Sequence, residues 1–271
     1  MWFPSLPSAK RARKAHCVID TSASSRRPRN VLVAGGAGGV GEGIVRALLA
    51  STDVRVIVTS RNAARLELLE RRLREAADAR RLTGIVGNAG DPLGADAIAE
   101  RIRTEIGALH VAIPSLGGWW EGGSLLGADL PTWETVMGEM LTTHFVFART
   151  FVPELERRPG GWYLGIGGGA AFYPVPNSSI VSIAAAGQVM LTRTLAREHA
   201  ANGLRVNELV VNGPVRTRDS EAIAERDWIT ADEVGEVVAE LVRDGVTTWP
   251  AWREKGPLLI MDPARRAISR P

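Results

Sequence analysis

The chain has a single cysteine, Cys17, in 271 residues. One thiol rules out an intrachain disulfide and a cysteine cluster for a metal, and no metal site is expected. A reducing cytoplasm is the simplest setting for such a chain. Long apolar runs are missing too. The longest, such as Val54 to Val58 and Leu209 to Val211, fall far short of the roughly 18 residues that span a bilayer, so no membrane partner is expected. Lysine occurs only at Lys10, Lys14 and Lys255, and tyrosine only at Tyr163 and Tyr173.

The formal net charge of +3 is unevenly spread. Lys10, Arg11, Arg13, Lys14, Arg26, Arg27 and Arg29 face only Asp20 in the first 30 residues, and the chain from Val31 onward is slightly acidic. Basicity is therefore a property of the tail, and no nucleic-acid partner is expected for the body. Residues 1–29 lack the continuous apolar core of a secretory signal. They are read first as a disordered leader, with contact to a polyanion and targeting as alternatives.

From Asn30 onward, β-branched runs alternate with amphipathic segments. Strands are expected at 31–34, 54–59, 82–86, 111–113, 162–166, 206–211 and 257–261. Helical patterns cover 62–79, 95–106, 132–155 and 178–201. Strands separated by helix-length segments imply right-handed parallel βαβ units, hence an α/β, doubly wound Rossmann-type parallel sheet with helices on both faces. One domain is expected over 30–262, followed by a C-terminal tail, 263–271.

The segment Val31 to Ala50 reads as strand, glycine run, then helix. Gly35, Gly36, Gly38, Gly39 and Gly41 allow a tight turn, close approach to a pyrophosphate, and helix amides aimed at it. Its position between a strand and an apolar-faced helix is what gives the pattern weight. The second strand ends in Thr59, Ser60 and Arg61, without the acid that would hold a ribose 2′-hydroxyl. Ser60 beside the Arg61 guanidinium suits a 2′-phosphate, so NADP(H) is favoured over NAD(H).

Residues 30–262 resemble the short-chain dehydrogenase/reductase family. Its T-G-x-x-x-G-x-G appears as Ala34, Gly35, Gly36, Ala37, Gly38, Gly39, Val40 and Gly41, with only the threonine changed. Its Asp-Val at the adenine appears as Asn88 and Ala89, its Arg-Val-Asn as Arg205, Val206 and Asn207, and its Pro-x-x-Thr as Pro214, Val215, Arg216 and Thr217. The N-N-A-G segment departs, reading Pro114, Ser115, Leu116 and Gly117. The resemblance implies that Leu116, Gly117, Pro214, Val215 and Thr217 join the glycine turn and Ser60, Arg61, Asn88 and Ala89 in holding a dinucleotide.

The same resemblance places the four catalytic positions at Met140 for asparagine, Gly168 for serine, Val181 for tyrosine and Ala185 for lysine. A search independent of alignment agrees. The residues four places beyond the two tyrosines are Gly167 and Asn177, so no Tyr-x-x-x-Lys exists in the chain. In the family the tyrosine exchanges a proton with the substrate oxygen, and the lysine lowers its pKa from about 10. Valine and alanine do neither, which removes a contribution of typically 10²- to 10⁴-fold.

His144, four residues past Met140, is the candidate for a relocated acid, with packing or an interface as its other role. Trp119, Trp120 and Glu121 follow the fourth strand at the sheet edge where ligands bind. With Met140, His144, Gly168 and Val181 they make the expected substrate pocket. Three functions fit. The first is an NADP(H)-dependent oxidoreductase whose proton comes from substrate, water or His144. The second is a catalytically silent NADP(H)-binding sensor or partner subunit. The third is a non-redox cyclase or lyase on the same fold. A homo-oligomer, dimer or tetramer, is expected through the long helices.

Overall fold

The computed structural model describes residues 29–244, 257–262 and 267–269. Cys17, all three lysines and most of the basic tail lie outside them.

The expected α/β alternation is present. In chain order the elements before the fourth strand are β1 (Arg29–Ala34), α1 (Gly39–Ser51), β2 (Val54–Ser60), α2 (Ala63–Arg72), α3 (Arg74–Asp78), β3 (Leu82–Val86) and α4 (Pro92–Arg101). Then come β4 (Val111–Pro114), α5 (Leu130–Met137), α6 (Thr143–Glu156), β5 (Trp162–Gly168) and α7 (Ser179–Glu198). The chain continues through β6 (Arg205–Val211), the short β7 (Val215–Arg216) and β8 (Ile229–Thr230), α8 (Ala231–Asp244), β9 (Leu258–Asp262) and β10 (Ala267–Ser269).

The main sheet runs β10-β9-β6-β5-β4-β1-β2-β3. Seven strands pair in parallel, and β10 joins antiparallel to β9, beyond the expected domain end at residue 262. Strand order reverses between β1 and β4, so a crevice opens at their carboxyl ends, where ligands of such sheets bind. Both of its walls carry buried apolar residues. Val31, Val33 and Val58 pack with Ile44, Leu48 and Val238 on one face, and Leu32, Ile57 and Ala112 pack with Ile98, Phe147 and Phe151 on the other. Side chains alternate across a strand, so each of β1 to β6 contributes to both clusters.

Several helices differ from the sequence expectation. The pattern at 62–79 breaks at Leu73 into α2 and α3. The pattern at 95–106 begins earlier, where Pro92 occupies the first turn and the Asp91 side chain accepts from the Gly94 amide, and it ends in a π-helical turn at Ile102–Ile106. The pattern at 132–155 starts at Leu130, capped by Asp129, and passes through a second π-helical turn at Gly138–Thr142 before α6.

Helix α8 is an addition to the expected elements. Thr230 and Glu233 form a reciprocal capping box at its start, with the Thr230 amide donating to Glu233 Oε2 at 2.8 Å and the Glu233 amide to Thr230 Oγ1 at 3.1 Å. It packs beside α1 where Gly43 leaves no room for a Cβ against the Ala231 carbonyl.

By length and composition alone, helix α7, with 20 residues and a mean hydropathy of 1.3, is long and apolar enough to cross a membrane. Polar Ser182, Gln188 and Thr192 interrupt any continuous run, and the buried face of Val181, Ala184, Ala185, Gln188 and Thr192 lies within the fold.

Candidate active site

The glycine turn is built where it was expected. Gly35 has φ of 76°, and a Cβ there would collide with the Ser115 carbonyl at the end of β4. An L side chain is excluded both by conformation and by space. The Gly35 amide donates to Thr59 O at 3.1 Å, which seats the turn between β1 and β2. Gly38 caps α1 without a side chain, so the amides of its first turn point outward with no capping oxygen.

The other residues expected to hold a dinucleotide lie at the carboxyl ends of β2, β3, β4 and β6 or in the segments that follow them. The Ser60 hydroxyl folds back on Asn62 (3.1 Å), and the Asn62 side chain caps α2 by accepting from the Arg65 amide at 3.0 Å. Arg61 is exposed, with no ion-pair partner among the described residues. The Asn88 side chain accepts from the Gly90 amide at 3.0 Å and Ala89 is buried beside it. Thr217 packs on Gly39, Leu116 is half-buried, and Gly117 adopts φ of 99° close to Met140. Val215 lies in β7, and Pro214 before it is exposed.

The expected substrate pocket is only partly assembled. Val181 and Val136 form a small apolar cluster with Met140, Trp120, Trp133 and Ala170. Gly168, at the end of β5, has nothing within 4 Å of the place a Cβ would take, so the space above it is open. Ala185 is buried one turn along α7 from Val181. Trp119 instead turns outward at 63% exposure, and Glu121 is exposed.

His144 and Met140 both approach the segment after β4, Met140 beside Gly117 and His144 beside the Leu116 carbonyl. The π-helical turn at Gly138–Thr142 joins α5 to α6 at this point. His144 is fully buried, with Nε2 3.3 Å from the Leu116 carbonyl and Nδ1 without a partner. Burial pushes its pKa down to about 4, against the opposing Leu116 hydrogen bond. A neutral, sealed imidazole has little acidity to offer near pH 7.

Two carboxylates emerge only in three dimensions. Glu42, buried in the first turns of α1, takes Arg46 at 2.9 Å, Arg72 at 3.0 Å and Arg218 at 2.9 Å. Arg46 alone was legible, at i+4; Arg72 and Arg218 are distant in sequence. A polar cleft of about 400 Å³ at this cluster is lined by Glu42, Glu221 and Asp232 and by Arg46, Arg216 and Arg218, so its charges balance.

Glu208, in the middle of β6, is buried close to the Thr192 hydroxyl. Burial raises its pKa to about 7, against the opposing pull of Thr192 and of the Arg193 charge. It lies opposite Gly165 in the β5 register.

Comparison with known proteins agrees with this architecture. The short chain dehydrogenase family model matches residues 29–228, and the chain belongs to that family. Among its relatives, dehydrogenase/reductase SDR family member 4 of Sus scrofa is 23% identical over 76% of this chain and 74% of its own length. The 2,3-dihydroxy-2,3-dihydro-p-cumate dehydrogenase of Pseudomonas putida is 29% identical over 78% and 84%.

Among solved structures, a gluconate 5-dehydrogenase from Burkholderia cenocepacia in complex with NADP and tartrate shares the fold with a TM-score of 0.70. It is 18% identical and covers 79% of this chain and 87% of its own. A short chain oxidoreductase from Pseudomonas aeruginosa PAO1, bound to NADPH and containing an atypical catalytic center, aligns with a TM-score of 0.72. It is 23% identical over 82% and 91%.

Proposed function

We propose that this chain is an NADP(H)-dependent oxidoreductase that reduces an acceptor without a tyrosine acid of its own. The observation that carries the reading is the apolar cluster that holds Val181 and Met140, together with the open space over Gly168 at the carboxyl end of β5. The outward amides of α1, the side-chain-free turn at Gly35 and the unpaired Arg61 fit a dinucleotide with a 2′-phosphate. Relatives of the same fold that hold NADP or NADPH support the same cofactor.

When bound, the reduced nicotinamide supplies the hydride. The residues of the chain do the rest by shape. Val181, Met140 and Trp120 exclude water and orient a flat, apolar acceptor above Gly168, and the proton that balances the hydride comes from water or from the acceptor itself. Activated C=C and C=N bonds suit such a site better than simple ketones.

The test is calorimetric titration with NADPH and NADH, followed by stopped-flow oxidation of bound NADPH with ketones, enones and imines. Tighter binding of NADPH with turnover of enones or imines is the expected result. Tight binding with no acceptor oxidising the cofactor would favour a second reading, a nucleotide-binding partner subunit. The exposed Phe145 on α6, together with Ile183 and Met190 on α7, favours that second reading.

A further inference from the structure

Residues 217 to 219 make three successive contacts across the mouth of the cofactor crevice. The Thr217 side chain lies against Gly39, its three side-chain atoms within 2.8 to 2.9 Å of where a Cβ would stand. Arg218 Nη1 donates to Glu42 Oε2 of α1 at 2.9 Å. Asp219 Oδ2 pairs with Arg65 Nη1 of α2 at 3.4 Å. The segment thus passes from the glycine turn, over α1, to the start of α2.

Arg65 belongs to the first turn of α2, and its amide is the one capped by Asn62. It therefore stands beside Ser60 and Arg61, where β2 ends and where a ribose 2′-phosphate is read. Its guanidinium is half-exposed, and Asp219 is equally so. A carboxylate brings one negative charge to this site. A phosphomonoester brings close to two and a third oxygen, and it matches two guanidinium forks at once.

We propose that Arg65 is a second recognition residue for the 2′-phosphate, and that Asp219 is the counter-ion which that phosphate displaces. Asp219 then sets how strongly the chain prefers the phosphorylated dinucleotide, from a loop outside the β2 turn. The inference rests on the NADP(H) reading above. Because an exposed ion pair is a weak competitor, its removal has a limited effect, about two- to five-fold in affinity.

The experiment is calorimetric titration of the full chain with NADPH and with NADH, for the wild type, Asp219→Asn, Arg65→Gln and the double variant. Asp219→Asn is expected to tighten NADPH about two- to five-fold and leave NADH unchanged. Arg65→Gln weakens NADPH selectively, and in its background Asp219→Asn has no further effect. Equal tightening of both dinucleotides by Asp219→Asn would show general electrostatics and overturn the proposal. So would an Arg65→Gln variant that binds NADPH as the wild type does. If the wild type binds neither dinucleotide, the NADP(H) reading itself falls, and this inference falls with it.

Discussion

The Glu208 carboxyl occupies the space that a side chain on Gly167 would need. Gly165 and Gly167 on β5 make room for an acid among Tyr163, Gln188, Thr192 and Arg193. Its folded pKa of about 7 stands above the usual carboxyl value of 4.5, so the folded protein holds a proton that the unfolded chain has lost across that interval. Stability contributed here is present below about pH 4.5 and falls as pH rises to about 7. Glu208→Gln is therefore expected to match the wild type near pH 5 and exceed it by roughly 2–3 kcal/mol near pH 8. Urea unfolding at the two pH values measures it.

His144 behaves in the opposite sense. Its folded pKa of about 4 lies below the usual imidazole value of 6.5, so stability is full above pH 6.5 and lost as pH falls toward 4. His144→Gln keeps a donor for the Leu116 carbonyl and removes the titration. It is expected to equal the wild type at pH 7 and to be about 2 kcal/mol more stable near pH 5, by the same unfolding measurement.

Glu42 neutralises three arginines from α1, α2 and the loop after β7. Glu42→Ala leaves them facing one another, although each is partly exposed and can regain water. A loss of about 1–3 kcal/mol is expected, less than for removing one partner of a sealed pair. A smaller loss at high salt than at low salt would identify arginine repulsion as the cause.

The family chemistry can be rebuilt on this scaffold. Gly168→Ser enters open space, whereas Val181→Tyr must displace part of the apolar cluster at Met140. Combined with Ala185→Lys and Met140→Asn, the set is expected to raise NADPH-dependent ketone reduction by about 10²-fold or more. Steady-state rates on a ketone panel test it. A folded, NADPH-binding variant with no gain would place the reacting centre elsewhere.

The sequence made the sheet legible because β-branched runs and a glycine turn are local signals, and Gly35 needs only its neighbours to declare itself. Helix α8 was readable too, from the capping box of Thr230 and Glu233 and from Val234, Val237, Val238, Leu241 and Val242 at helical spacing, and the expectation passed it over. The shell of Glu42 and the seat of Glu208 depend on residues brought together from separate strands and helices, and no periodicity encodes them. His144 shows the limit of a spacing rule. The spacing from Met140 carries it to the neighbouring Leu116 carbonyl, whereas the burial that holds it neutral comes from the packed fold and not from its position along the helix.

That turn has a further consequence for the length of the chain. A helix that carries one residue more than its hydrogen-bond ladder needs can lose it and close again as an ordinary helix. Deleting one residue within Gly138–Thr142 would let α5 run into α6 as one ordinary helix, with the faces of both kept. Trp133, Val136 and Met137 would stay with Val181, and Phe147 and Phe151 would keep their places in the core. The spare residue is a length tolerance confined to the wall of the site, through which loss of a single codon would change the lining at Met140 while both flanking helices stay in register.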